Sequence, residues 1–118
     1  MSRAGGIDSH AHLADPRFDP DRGAVLERAR AAGLETILCI GLGTARAEFE
    51  PTLRLAEQHD FLWAALGLHP HDARRASEVL LDELSEMARH PRVLAWGEIG
   101  LDYHYDHSPR EIQQQIFR

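Results

Sequence analysis

Lysine is absent from the 118 residues; all 13 cations are arginine, set against 19 acidic residues for a net charge of −6. The absence removes lysine as a nucleophile, a Schiff-base partner or a carbamylated metal bridge within these residues. The acidic balance argues against a broad basic surface for duplex DNA or anionic membrane, because sequence-independent affinity for phosphates comes mainly from Lys and Arg. Any polyanion would have to be gripped locally. Cysteine occurs once, as Cys39, so no intrachain disulfide can form and a reducing compartment fits best. Within the apolar run Thr36–Ile40 that residue reads as a small buried hydrophobe rather than a nucleophile. No apolar run is long enough to span a bilayer, and Met1–Gly6 lacks the apolar core of a signal peptide. The expectation is a cytoplasmic protein with no membrane contact, and 118 residues suit one modest domain.

What is present is organised around Ile7-Asp8-Ser9-His10-Ala11-His12-Leu13. If this stretch runs extended, His10 and His12 point to the same side of a strand, where two neutral imidazoles can share a divalent cation. Asp8 could accept a ring N–H and orient one of those ligands. A bare H-x-H also arises by chance on protein surfaces, so the rest of the chain has to support it.

Four βα units can be read along the chain. The first strand ends near His12, and Asp19 followed by Pro20 predicts a helix from Asp19 to Ala32, with Val25, Leu26 and Ala29 buried and Gly33 as its stop. Leu34–Ile40 reads as a strand buried on both faces. Thr44 can cap a helix reaching His59, in which Pro51 predicts a kink or a restart. Phe61–Leu68 is a third strand, and Ser77 can cap a helix carrying Leu80, Leu81, Leu84, Met87 and Ala88 on one stripe before Pro91. Val93–Gly97 is a fourth strand delivering Glu98, and Ser108-Pro109-Arg110-Glu111 reads as a capping box opening a last helix. Strand starts near residues 7, 34, 61 and 93 have the spacing of βα repeats, and the alternation predicts a parallel α/β sheet with right-handed connections. His10, His12, His69, His71, Glu98 and Asp102 all fall at or just after strand carboxyl ends, the face on which such folds build their sites.

Glu98 stands between Gly97 and Gly100 in Trp96-Gly97-Glu98-Ile99-Gly100-Leu101-Asp102-Tyr103. Its two carboxylate oxygens could ligate separate cations. Together with Asp8-Ser9-His10-Ala11-His12-Leu13 and Gly67-Leu68-His69-Pro70-His71, and with the spacing of Pro109, Gln113 and Phe117, this chain resembles the amino-terminal half of a TatD-family metal-dependent hydrolase. The resemblance covers essentially the whole chain.

It implies the first four βα units of a TIM (β/α)8 barrel over residues 1–118, truncated relative to the roughly 250 residues such a barrel takes, with no separate second domain. It further implies deoxyribonuclease-like activity on DNA and two divalent ions, Mg²⁺, Mn²⁺ or Zn²⁺. His10 and His12 would hold one ion and Glu98 would be shared between both. His69 and His71 would lie near the substrate phosphate, with Asp102 supporting the site. The family's later ligands and its general base, two histidines and an aspartate, have no counterpart among residues 1–118. Two rival expectations stand beside this one: hydrolysis of another ester, such as an aminoacyl ester on tRNA, by the same metal–water chemistry, and a fragment that binds metal without catalysis. Half a barrel would leave two strand edges open, so self-association is also expected.

Overall fold

The computed structural model describes residues 5–118; Met1–Ala4, part of the start that lacks a signal-peptide core, lie outside them. The chain runs β1 (Gly6–Ala11), a 3-10 turn (Pro16–Phe18), α1 (Arg22–Ala31), β2 (Leu34–Leu42), α2 (Arg46–Gln58), β3 (Leu62–Gly67), a second 3-10 segment (Pro70–Arg75), α3 (Glu78–Met87), β4 (Val93–Trp96) and α4 (Arg110–Phe117). The four strands form one sheet in the order β1-β2-β3-β4, every pair parallel. This order, with every neighbour parallel, is the one expected of the first four βα units of a (β/α)8 barrel. Between β2 and β3 the register is unbroken from Ile37↔Leu62 to Leu42↔Gly67. The β1–β2 ladder shifts between Asp8 and Ala11, beside His10. Among the described residues no helix is long and apolar enough to cross a membrane.

Local chemistry explains most of the boundaries. Ser77 Oγ accepts the Leu80 N–H at 3.1 Å, the cap its position predicts. Gly33 ends the first α-helix at φ 98°, a left-handed conformation that suits glycine. Three starts depart from expectation. Helix α1 begins at Arg22 rather than Asp19, because Asp15 accepts the Arg17 N–H at 2.9 Å and caps a separate turn. Asp19 instead receives the Arg22 guanidinium at 2.7 Å, and that same group donates to the Leu13 and Asp15 carbonyls. Helix α2 starts at Arg46 and runs through Pro51 without a restart. Its first turn is held by Glu48, whose carboxylate accepts the Thr44 and Ala45 N–H groups at 2.6 and 3.0 Å. Helix α4 has Pro109 at its cap position and no side-chain cap. Ser108 is fully buried and used elsewhere: its hydroxyl donates to the His71 carbonyl at 2.8 Å and accepts the Arg74 N–H at 3.1 Å.

Two apolar clusters bind the helices to the sheet. Leu13, Leu26, Ile37, Cys39, Leu55, Phe61 and Leu62 form one; Phe49, Leu66, Leu68, Leu80, Leu84 and Met87 form the other. Cys39 is buried as expected, and that burial, with the nearby Asp8 charge, pushes its thiol up to about 12. The expectation that β2 is buried on both faces holds only in part. Ile37 and Cys39 pack in the helix-side cluster and are buried, whereas Thr36 and Leu38, which alternate with them, are half-buried, and Ile40 farther along that same face is buried again. Leu38 lies level with Trp63 of β3.

Candidate metal centre

His10, the next-to-last residue of β1, and His12, just beyond it, emerge on the same side as alternation demands. Their Nε2 atoms are 3.2 Å apart. Glu98, just past β4, brings Oε2 to 3.7 Å from His10 Nε2 and 3.6 Å from His12 Nε2. Three donor atoms held about 2.1 Å from a tetrahedral cation would lie about 3.4 Å from one another. The observed triangle of 3.2, 3.6 and 3.7 Å straddles that value, and the donor set of two imidazoles and one carboxylate suits Zn²⁺, Mn²⁺ and related ions. The side chains are 51%, 44% and 31% exposed, so solvent or substrate can reach a shared cation.

The other oxygen, Glu98 Oε1, faces His69 Nε2 at 3.9 Å. His69 Nδ1 accepts the His71 backbone N–H at 3.1 Å. A nitrogen that accepts cannot itself carry the proton, so neutral His69 is protonated on Nε2 and presents an N–H toward the carboxylate. His71 in turn pairs through Nε2 with Asp102 Oδ2. That pairing, with backbone N–H groups of Tyr105 and His104 on Asp102 Oδ1, holds the Asp102 carboxyl down at about 2. Asp102 is therefore ionised, and His71 Nε2–H donates to it.

Asp8 takes a different part from the one expected. Its Oδ1 accepts the backbone N–H of His10 at 3.0 Å, and among the described residues no hydrogen bond links it to an imidazole. The short Asp side chain thus fixes the strand's exit rather than a ring. The other expected residues do converge: His10, His12, His69 and Glu98 form one group, and His71 with Asp102 borders it through the His69 and His71 rings, whose centroids are 4.2 Å apart.

Two positioning residues escaped the sequence reading. A Cβ on Gly67 would lie 2.6 Å from the Glu98 carbonyl oxygen and 2.7 Å from the Gly97 carbonyl carbon. Only glycine therefore lets the end of β3 lie this close to the peptide that carries Glu98. Gln113, 1% exposed on α4, accepts the Asp102 N–H at 2.7 Å and donates to the Asp102 and Ser108 carbonyls at 3.0 and 2.8 Å. Its spacing from Pro109 and Phe117 was visible in the sequence; its loop-holding role was not.

Residues 7–118 match the family model described as TatD related DNase. The chain is 41% identical over 112 residues to a Bacillus subtilis protein described as an uncharacterized metal-dependent hydrolase, YabD, covering 95% of this chain and 43% of that one. It is 37% identical over 111 residues to an Enterobacter lignolyticus protein named 3'-5' ssDNA/RNA exonuclease TatD, covering 94% and 42%. Its fold superposes with a TM-score of 0.80 on the crystal structure of YJJV, a TatD homolog from Escherichia coli K12, at 40% identity over 94% of this chain and 43% of that one. The chain thus spans less than half the length of the relatives it matches.

Proposed function

Since the chain belongs to the TatD related DNase family, we propose that it carries the amino-terminal part of a metal-dependent phosphodiesterase site whose substrate is DNA, with single strands preferred. The observation that supports this most directly is the donor triangle of His10, His12 and Glu98. A relative is named as acting on ssDNA and RNA, which makes a single-stranded polyanion the natural substrate class.

In this reading His10, His12 and Glu98 would hold a divalent ion, and Glu98 would be shared with a second. Bound divalent ions polarise a phosphoryl oxygen, generate hydroxide from water near neutral pH, and add positive charge that an acidic chain lacks. His69 presents its Nε2–H beside Glu98, placed to donate to a non-bridging phosphate oxygen. The Asp102 carboxylate fixes the His71 ring, so His71 Nδ1 is aimed rather than free to rotate. The residue that deprotonates the water is proposed to lie outside residues 1–118.

Metal titration tests the reading. Isothermal titration with Mn²⁺ should show saturable binding in the wild-type chain and at least a 10-fold weaker affinity in His10→Ala and Glu98→Ala. Hydrolysis of a labelled single-stranded oligonucleotide should occur in the protein that contains the remaining ligands and stop with EDTA. Undiminished Mn²⁺ affinity in both variants would show the site assignment wrong, and cleavage of aminoacyl-tRNA but not of DNA would show the substrate class wrong.

A further inference from the structure

Beyond Asp102 the β4–α4 loop carries four aromatic side chains: Tyr103 is held by Arg110 and Gln114, whereas His104, Tyr105 and His107 are all exposed, Tyr105 at 63%. Tyr105 and His107 are stacked, with centroids 5.5 Å apart and planes 5° from parallel. His71 meets both rings edge-on, at 5.7 Å from Tyr105 and 4.6 Å from His107. The arrangement is built, not incidental. Asp106, between the two rings, adopts φ 51°, a left-handed conformation uncommon for a non-glycine residue, which brings the rings of residues 105 and 107 to one side. A bidentate pair holds that turn in place: Arg110 Nε and Nη2 donate to Asp106 Oδ1 and Oδ2 at 2.8 and 2.9 Å. Among the described residues the Tyr105 hydroxyl makes no hydrogen bond. A strained turn, locked by an ion pair, thus presents an aromatic ring to water.

We propose that the Tyr105–His107 pair is a stacking platform for an unpaired nucleobase of a single-stranded substrate, lying beside the metal centre and positioning the nucleotides next to the scissile phosphodiester. The inference rests on the phosphodiesterase reading and supplies what the metal ligands lack, namely a contact to the base. The rings lead directly to the centre. Glu98 faces His69 at 3.9 Å, His69 contacts His71, and His71 contacts His107. Aromatic stacking is tolerant of base identity because every base has a π-face. A duplex would gain nothing from it, since its bases are already stacked, so the platform favours single strands and frayed ends.

The test uses a single-stranded oligonucleotide with 2-aminopurine at its terminus, bound to the chain in EDTA so that no cleavage intervenes. Stacking on the platform should quench the fluorophore. Tyr105→Ala should weaken binding about 10-fold and abolish most of the quenching, whereas Tyr105→Phe should stay within about 2-fold of wild type. Replacing the terminal base by an abasic site should remove the difference between Tyr105 and its alanine variant. His107→Ala, also at an exposed position, should give a partial loss and serves where Tyr105→Ala folds poorly by circular dichroism. No quenching by the wild-type chain, equal affinity of wild type and Tyr105→Ala, or an equal loss in Tyr105→Phe would each overturn the platform. Tyr105-dependent binding without metal-dependent cleavage in the protein containing the remaining ligands would leave the platform standing and overturn the hydrolase reading instead.

Discussion

Gln113 grips Asp102 by its main chain from both sides, its Oε1 accepting the Asp102 N–H at 2.7 Å while its Nε2 donates to the Asp102 carbonyl at 3.0 Å. A third bond, to the Ser108 carbonyl at 2.8 Å, ties the far end of the same loop to the same amide. Gln113→Leu keeps the volume but leaves three main-chain groups without partners. Each such group costs about 1–3 kcal/mol when buried, so the variant should lose about 2 kcal/mol or more in urea unfolding. It should also free the His71 ring, visible as sharpened imidazole signals by NMR. A stability within 0.5 kcal/mol of wild type, on the order of an ordinary surface change, would contradict the assignment.

Gly67→Ala should disturb metal binding without touching a ligand. The added Cβ meets the Gly97–Glu98 backbone at 2.6–2.7 Å, and overpacking of this kind typically costs about 1–3 kcal/mol. Because the atoms pushed away carry Glu98, Mn²⁺ affinity should fall at least 10-fold along with the melting temperature. Gly23→Ala is the control: nothing lies within 4 Å of its added Cβ, and α1 should gain up to about 1 kcal/mol from the better helix former.

Acid should weaken the loop over a defined range. The Asp102 carboxyl is held at about 2, against an ordinary 3.8, chiefly by His71. Asp15 is likewise held at about 2, chiefly by Arg17. A folded-state value below the unfolded one means that the stabilisation is complete above the ordinary value and is lost as pH falls toward the folded one. Urea midpoints should therefore drop between pH 4 and pH 2, and the slope should be shallower in Asp102→Asn and in Asp15→Asn. An unchanged slope in both would show these contacts immaterial to acid stability.

The open edges of the sheet predict association. Ile7 on β1 is 72% exposed, and Leu94 and Trp96 on β4 are 59% and 50% exposed. Parallel edge strands carrying apolar side chains invite pairing with another chain. Sedimentation of the isolated 118-residue chain should show dimers or larger species at micromolar concentration, and Leu94→Lys or Trp96→Lys should shift the distribution toward monomer. A sharp-melting monomer at all concentrations would overturn this.

Turnover by residues 1–118 alone should be slight. A missing general base typically costs a factor of roughly 10² to 10⁴, and incomplete coordination of the second ion adds to the loss. The 118-residue chain should bind Mn²⁺ yet cleave single-stranded DNA at a rate near background. EDTA-sensitive cleavage at enzyme-like rates, abolished by His10→Ala, would mean that associated copies, or other residues of this chain, complete the site.

The parts legible in the sequence are those set by near neighbours. Alternation along one strand suffices to place His10 and His12 on one side, a serine before an apolar stripe suffices to cap α3, and a glycine after Trp96 announces the end of β4. Glu98 could be assigned to the same mouth because parallel βα units share one functional face. What stayed hidden depends on residues far apart in sequence. Ser108 looks like a helix cap until it is seen bonded to His71, 37 residues away. Asp19 is a local exception: it looks like a cap until Arg22, three residues on, claims its carboxylate. Gly67 looks like part of a motif, and only the approach of β4 makes its missing side chain a requirement.

The uncapped start of α4 gives the molecule a seam. With Pro109 at the cap position and Ser108 engaged elsewhere, the first N–H groups of this helix have no side-chain acceptor, so its first turn opens more readily than a capped one. Amide hydrogens there should exchange with solvent long before those of β2 and β3. Since Gln113 rides on that helix, each opening also releases Asp102 and, through it, His71. Imidazole order at the mouth of the site is thereby tied to the opening of the first turn of α4, and anything that docks against that turn slows both together.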